Sequence, residues 1–68
     1  MYKFKKDKYE EVMSKYKMKG IAEKIGITQV YLSLILNNKN DCKKTVAYCI
    51  TKAIDSNAEI NDYFILEK

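Results

Sequence analysis

Few side chains in this sequence are suited to covalent or acid–base chemistry. It has no histidine, and its two cysteines are Cys42 and Cys49. Adjacent carboxylates at Glu10 and Glu11 fall on a helix face that we predict to be solvated. The sequence contains neither a glycine-rich phosphate loop nor a nucleophile with a neighbouring base. We therefore expect that the protein is not an enzyme and binds no cofactor or small-molecule ligand.

The two cysteines indicate neither a metal site nor a disulfide. Seven residues apart, they would share one face of a helix at a separation that disulfide geometry does not allow. A zinc site would need carboxylates at spacings that the sequence does not contain. We expect both thiols to act as small apolar side chains in a reducing compartment.

The remaining chemistry of the chain is electrostatic and lies in its lysines. The thirteen basic residues are all lysines, and nine acidic residues leave a formal net charge of +4. Residues 1–44 contain eleven lysines and five acids, whereas residues 45–68 contain two lysines and four acids. This asymmetry favours a polyanion such as nucleic acid as partner of the first part of the chain. A solvated lysine-rich surface would give the same pattern.

Length and composition predict one small helical domain. Residues 1–68 are enough for a single core, and 47% of them are hydrophobic, 32% are charged and none is proline. We therefore expect an all-α fold of five short helices. No apolar run approaches the ~20 residues of a membrane span, and the N-terminus lacks the apolar segment of a signal peptide, so we expect a cytoplasmic location.

A basic arm, residues 1–6, precedes the first predicted helix. Asp7 followed by Glu10 has capping-box spacing, which predicts a helix over residues 8–16. For the arm, which carries Phe4, three interpretations remain open. It adds a strand, packs its aromatic ring on the body, or stays mobile until phosphate orders it.

A tight turn joins the second and third predicted helices. The second begins at Met18 and stops at Gly26, which can adopt the left-handed conformation that ends a helix. Thr28 then caps the third helix. On a helical wheel of residues 28–37, the side that we assign to the core holds Thr28, Leu32, Ile35 and Leu36. The opposite side holds Val30, Ser33, Leu34 and Asn37, with Gln29 beside them.

Capping signals and one apolar stripe predict two more helices. Asn40 or Asp41 opens the fourth, whose stripe consists of Val46, Cys49, Ile50, Ala53 and Ile54. Ser56 and Glu59 have capping-box spacing and open a fifth helix that ends near Tyr63 or Phe64.

Four residues between positions 18 and 37 have the spacing of a helix-turn-helix. Ala22 is small where the helices cross, Gly26 makes the turn, and Leu32 and Ile35 anchor the following helix. On these residues the chain resembles the lambda-repressor-like family of five-helix DNA-binding domains, in its small phage Cro and repressor branch. The stretch GITQVYLSLILNNK is similar to the recognition helix and following loop of that branch, and SNAEINDYF is similar to its last helix.

The resemblance covers roughly residues 7–64. It departs at Met18, where the family commonly has a glutamine, and in the missing hydroxyl cap of the second helix. It implies a sequence-specific regulator of transcription that binds double-stranded DNA, most simply a phage or prophage Cro-like repressor that occupies an A·T-rich pseudo-palindromic operator.

The same resemblance assigns roles to individual side chains. Base edges would be read by Gln29, Val30, Ser33 and Leu34, with the glutamine pairing with adenine and the valine packing on a thymine methyl group. Phosphate contacts would come from Lys17, Lys19, Thr28, Tyr31, Asn37, Asn38, Lys39, Lys43 and Lys44.

Residues 57–68 are expected to close the core or to form a homodimer. A two-fold operator requires a dimer, and a weak dimer would be completed by binding to DNA. The candidate dimer residues are Tyr63, Phe64, Ile65 and Leu66. In the alternative, Phe64 and Leu66 only close the core. Another function also remains open, in which the exposed aliphatic residues of the third helix bind a protein, as in an adaptor or antirepressor.

Overall fold

A computed structural model describes residues 1–67 of the protein. Its elements in chain order are strand β1 (Tyr2–Phe4), a 3-10 helix (Lys6–Lys8), helices α1 (Tyr9–Lys15), α2 (Met18–Ile25), α3 (Gln29–Leu36), α4 (Lys44–Ile54) and α5 (Ile60–Tyr63), and strand β2 (Phe64–Leu66). The prediction of a mostly helical fold is confirmed. The prediction of an all-α fold is wrong, because the two strands form a small sheet.

The sheet pairs the first element of the chain with the last. β1 and β2 are antiparallel, with Tyr2 opposite Leu66 and Phe4 opposite Phe64. The two phenylalanine side chains are each 1% exposed. Strands of three residues are too short for an alternation of apolar and polar residues to reveal them in the sequence. The sequence pattern therefore does not predict the pairing, which brings together two buried rings that are distant in the chain.

The N-terminal arm combines two of the three interpretations that the sequence left open. It adds a strand, and Phe4 packs in the core. The arm also contacts the segment that precedes α4. The Tyr2 N–H donates to the Cys42 carbonyl oxygen at 2.6 Å, and the Cys42 N–H donates to the Tyr2 carbonyl oxygen at 2.9 Å. Residues 2–4 are thus part of the folded body.

One cluster of buried side chains holds the helices together. Leu32 and Ile35 of α3 and Ile50 of α4 have no exposed surface. Burying a side chain of this kind contributes about 1.5–3 kcal/mol relative to leaving it exposed. The predicted anchors of the third helix are therefore confirmed, and α3 is fixed to the body along one side.

The predicted capping box of the first helix is wrong, although α1 begins within one residue of the predicted start. The 3-10 helix leads directly into α1, and the residue before α1, Lys8, has helical dihedral angles (φ −90°, ψ −10°) without a side-chain cap. A capping box needs an extended residue at this position, so Asp7 and Glu10 do not form one.

The predicted capping box of the fifth helix lies three residues too early. Glu59, instead of Ser56, occupies the cap position, and its reciprocal partner is Asp62. The Glu59 N–H donates to Asp62 Oδ2 at 2.9 Å. The preceding segment turns instead at Asp55, whose Oδ1 accepts a hydrogen bond from the Asn57 N–H at 2.9 Å.

The fourth helix begins later than predicted and separates the two cysteines. Lys43 precedes α4 in an extended conformation, so Asn40 and Asp41 lie outside the helix. Cys42 is buried by its pairing with Tyr2 before the helix begins, whereas Cys49 lies exposed on α4. The prediction that the cysteines share one helix face is therefore wrong.

The two thiols should therefore differ in reactivity. Burial, with a smaller contribution from the neighbouring Asp41 carboxylate, raises the pKa of Cys42 to about 11. Since the thiolate is the reactive form, a disulfide reagent such as DTNB should label Cys49 rapidly at pH 8 and label Cys42 only on unfolding. Mass spectrometry of the labelled peptides would locate the modified residue. Rapid labelling of Cys42 in a folded Cys49→Ser variant would contradict this prediction.

Candidate nucleic-acid interface

Three residues, 26–28, join α2 to α3, and local contacts fix both helix ends. Gly26 has φ 79° and ψ 33°, and its N–H donates to the Ala22 carbonyl oxygen at 2.9 Å. Thr28 precedes α3 in an extended conformation, and its Oγ1 accepts a hydrogen bond from the Tyr31 N–H at 3.1 Å. The predicted left-handed end of the second helix and the threonine cap of the third are both confirmed.

The side of α3 that faces away from the core carries the candidate base-reading residues. Val30 is 71% exposed and Leu34 36% exposed, while Gln29 is exposed and Ser33 is half-buried. Leu32 and its neighbours in the core hold the opposite side. The structure therefore brings these four residues together on one side of a helix whose position is fixed.

Ser33 and Asn37 are joined by hydrogen bonds. The Asn37 Nδ2 group donates to the Ser33 carbonyl oxygen at 2.9 Å and to the Ser33 Oγ at 3.1 Å. The serine hydroxyl keeps its own proton for a base edge, whereas the asparagine amide would have to leave this arrangement to reach a phosphate. Sequence reasoning missed the bond, although residues four apart are neighbours on a helix and the spacing was a usable signal.

The candidate phosphate-binding lysines form no ion pairs with the carboxylates of residues 1–67. The ion pairs among residues 1–67 join Lys3 to Glu67 at 3.3 Å and Lys8 to Glu11 at 4.0 Å. Five exposed candidates have no such partner: Lys17, Lys19, Lys39, Lys43 and Lys44.

Two of these lysines mark helix starts. Lys17 precedes α2 and Lys43 precedes α4, and neither helix start has a side-chain cap. The backbone N–H groups of the first turns are consequently without a side-chain acceptor at the positive ends of the two helix dipoles. Such N–H groups can bind phosphate oxygens alongside the ammonium groups.

The other polar candidates are partly used by the fold. Thr28 already accepts the capping bond, while Tyr31 is 36% exposed beside it. Asn38 has φ 62° and turns the chain after α3, a conformation that asparagine tolerates better than most residues. Its Oδ1 is buried without a hydrogen-bond partner. Since a phosphate oxygen is an acceptor, Asn38 could contact one only through its amide nitrogen.

Of the four candidate dimer residues, two are exposed. Ile65 is 53% and Leu66 52% exposed, but Phe64 is buried in the core. Tyr63 is half-buried, with its ring stacked against Phe4 at a centroid distance of 6.4 Å, and burial raises the pKa of its phenol. The C-terminal segment therefore closes the core with one side chain and exposes two others.

Comparisons with known proteins and searches for other site types give no further candidate. No family model, curated protein or solved structure matches this chain. Within residues 1–67 no group of three or more cysteine, aspartate or glutamate side chains could hold a metal ion. None of the helices described above has the length and apolar character needed to cross a bilayer. The residues on and around α3 are therefore the candidate site.

The two glycines provide a matched test of the α2–α3 turn. Gly26→Ala should destabilise the protein by about 1–2 kcal/mol, because an L-residue is strained in the left-handed conformation even though its Cβ would meet no atom within 4 Å. Gly20→Ala, in the exposed first turn of α2, should stabilise it by up to roughly 0.5–1 kcal/mol. Urea unfolding would measure both changes. Equal effects of the two substitutions would contradict the assigned role of Gly26.

Proposed function

We propose that this protein is a sequence-specific DNA-binding regulator of transcription in which α2 and α3 form a helix-turn-helix. One observation carries the proposal: Val30 is 71% exposed on a helix whose other side is buried in the core. Together with Leu34 it presents aliphatic surface beside the polar Gln29 and Ser33. A major-groove edge offers both chemistries, thymine methyl groups and hydrogen-bonding base atoms, to a helix of this kind.

The composition of this face favours A·T-rich DNA. The Gln29 amide can donate to adenine N7 and accept from adenine N6, and Val30 and Leu34 can each pack on a thymine methyl group. The commonest contact to guanine uses arginine, which the chain does not contain. An A·T-weighted operator is the expected target.

Phosphate contacts would supply most of the affinity. If the five unpaired lysines each neutralise one phosphate, the logarithm of the binding constant should fall with the logarithm of salt concentration with a slope of about −4 to −5. Their flanking positions, at the starts of α2 and α4 and in the loop after α3, are suited to the two backbones that border a groove.

A second copy of the chain would complete the operator complex. Tyr2 lies opposite Leu66, but its N–H and C=O groups are hydrogen-bonded to Cys42. In an antiparallel pair of this kind, the N–H and C=O groups of Leu66 also point away from the partner strand, to the edge of β2 that does not pair with β1. Two chains that pair this edge about a two-fold axis would cover Ile65 and Leu66. A dimer of this kind would act as a Cro-like phage or prophage repressor does, by occupying its operator.

One alternative is favoured by the same exposed aliphatic residues. As a protein-binding adaptor or antirepressor, the chain would bury Val30 and Leu34 against a partner protein instead of DNA. Its partner affinity would then depend weakly on salt, because no phosphate counterions are released.

Selection of bound duplexes from a random DNA pool at moderate salt tests the main proposal. We expect an A·T-rich inverted repeat with half-sites about one helical turn apart. Gln29→Ala should lose about 1–3 kcal/mol of preference for adenine at one position of each half-site. The control Asn61→Ala, exposed on α5, should leave the recovered motif unchanged. Failure to enrich any motif would reject specific DNA recognition and favour the adaptor.

The dimer has its own test. The double substitution Ile65→Glu and Leu66→Glu should weaken binding to the two-half-site operator on the order of 100-fold, since linked half-sites gain two or more orders of magnitude. Binding to a single half-site should not change. Tyr48→Glu, at a residue 52% exposed on α4, is the control for added charge. Equal losses on both duplexes, measured by fluorescence anisotropy, would rule out this dimer surface.

A further inference from the structure

We propose that strand β1 positions the DNA-facing start of α4 through the pairing of Tyr2 with Cys42. The inference rests on the proposed function, in which Lys43 and Lys44 bind phosphate. Two reciprocal hydrogen bonds make the pairing, from the Tyr2 N–H to the Cys42 carbonyl oxygen at 2.6 Å and from the Cys42 N–H to the Tyr2 carbonyl oxygen at 2.9 Å. Tyr2 therefore acts as a positioning residue that is distant in sequence from the lysines it orders.

Helix α4 lacks the usual local means of fixing its first turn. Lys43, at the cap position, has an extended backbone (φ −74°, ψ 161°) and makes no side-chain capping bond. The first bond of the helix runs from the Ala47 N–H to the Lys43 carbonyl oxygen at 3.0 Å. A lysine cannot accept the N–H groups that a serine or aspartate would cap, so this turn would fray without another restraint.

The loop before α4 is held from two directions. The Lys39 and Asn40 N–H groups both donate to the Leu34 carbonyl oxygen, at 2.8 and 3.1 Å, which fixes the first half of the loop to α3. Cys42 is buried and bonded to Tyr2, which fixes the second half to β1. The restraint on Lys43 comes directly after this buried residue.

β1 is itself firmly anchored. Phe4 is 1% exposed, and the strand pairs along its other edge with β2. The Glu67 N–H donates to the Met1 carbonyl oxygen at 2.9 Å, and the Glu67 carboxylate pairs with the Lys3 ammonium at 3.3 Å. A continuous ladder thus runs from β2 through β1 to the start of α4. It links the proposed dimer strand with the proposed phosphate-binding residues.

A matched pair of substitutions isolates the hydrogen bond from the side chain. Tyr2→Pro and Tyr2→Ala both remove the ring, but only the proline also removes the N–H, and proline is tolerated at the first residue of a strand. Relative to Tyr2→Ala, Tyr2→Pro should make the salt slope of DNA binding shallower by about 1–2, because Lys43 and Lys44 lose their fixed positions. In a background carrying Lys43→Ala and Lys44→Ala, this difference should disappear.

Hydrogen exchange in the free protein tests the inference without DNA. The Ala47 amide should exchange on the order of tenfold faster in Tyr2→Pro than in Tyr2→Ala, whereas the Ile50 amide should not change. Equal Ala47 exchange in the two variants would overturn the positioning role, even if DNA binding is confirmed. If the wild-type protein shows no salt-dependent DNA binding, the proposed function is rejected instead.

A second variant tests the same hydrogen-bonded pair if Tyr2→Pro does not fold. An ester in place of the Asp41–Cys42 peptide bond, introduced by chemical synthesis, removes the Cys42 N–H and retains every side chain. Compared with the wild-type protein, it should exchange the Ala47 amide faster and show a shallower salt dependence of DNA binding, as is expected of Tyr2→Pro. An ester variant with wild-type exchange and slope would also overturn the proposal.

Discussion

The fold depends on an edge-to-face contact between two phenylalanines from opposite ends of the chain. The ring centroids of Phe4 and Phe64 lie 5.2 Å apart, with their planes at 75°. This geometry directs the positive edge of one ring at the negative face of the other. In a chain of 68 residues the core is small, so two fully buried rings supply a large share of its apolar contacts. The contact joins β1 to β2, and β1 pairs in turn with the buried Cys42.

The uneven charge of the sequence becomes an uneven use of charge in the structure. Near the C-terminal strand, Glu59 and Asp62 serve their own capping box, and Glu67 pairs with Lys3. The acidic residues of this end are therefore largely occupied within the molecule. The five exposed candidate lysines, by contrast, form no ion pair with a carboxylate of residues 1–67. They lie at the starts of α2 and α4 and in the loop after α3, close in sequence to the helix that exposes Val30 and Leu34. Unpaired positive charge of this kind favours a polyanion as partner.

Local signals were sufficient for α2 and α3 but not for the sheet. Gly26 and Thr28 set their helix ends through contacts within a few residues, and the wheel placed Val30 on the exposed side. The strands join residues at opposite ends of the chain, and their short length leaves no pattern to detect. The burial of Phe64 depends on the same distant contact. Sequence alone therefore identified the face of α3, but could not decide which C-terminal side chains a partner can reach.

The position of the sheet also determines when folding can be completed. β1 precedes all the helices and β2 follows them, so the two strands cannot pair until residues 64–66 have left the ribosome. Helices α1 to α4 rely on closer neighbours and can form earlier, because closing a long loop costs entropy before any contact repays it. Phe4 stays without its partner ring until Phe64 emerges. The core around the two rings is thus expected to close only once Phe64 has emerged, and a nascent chain that stops before Phe64 would expose Phe4 to chaperones.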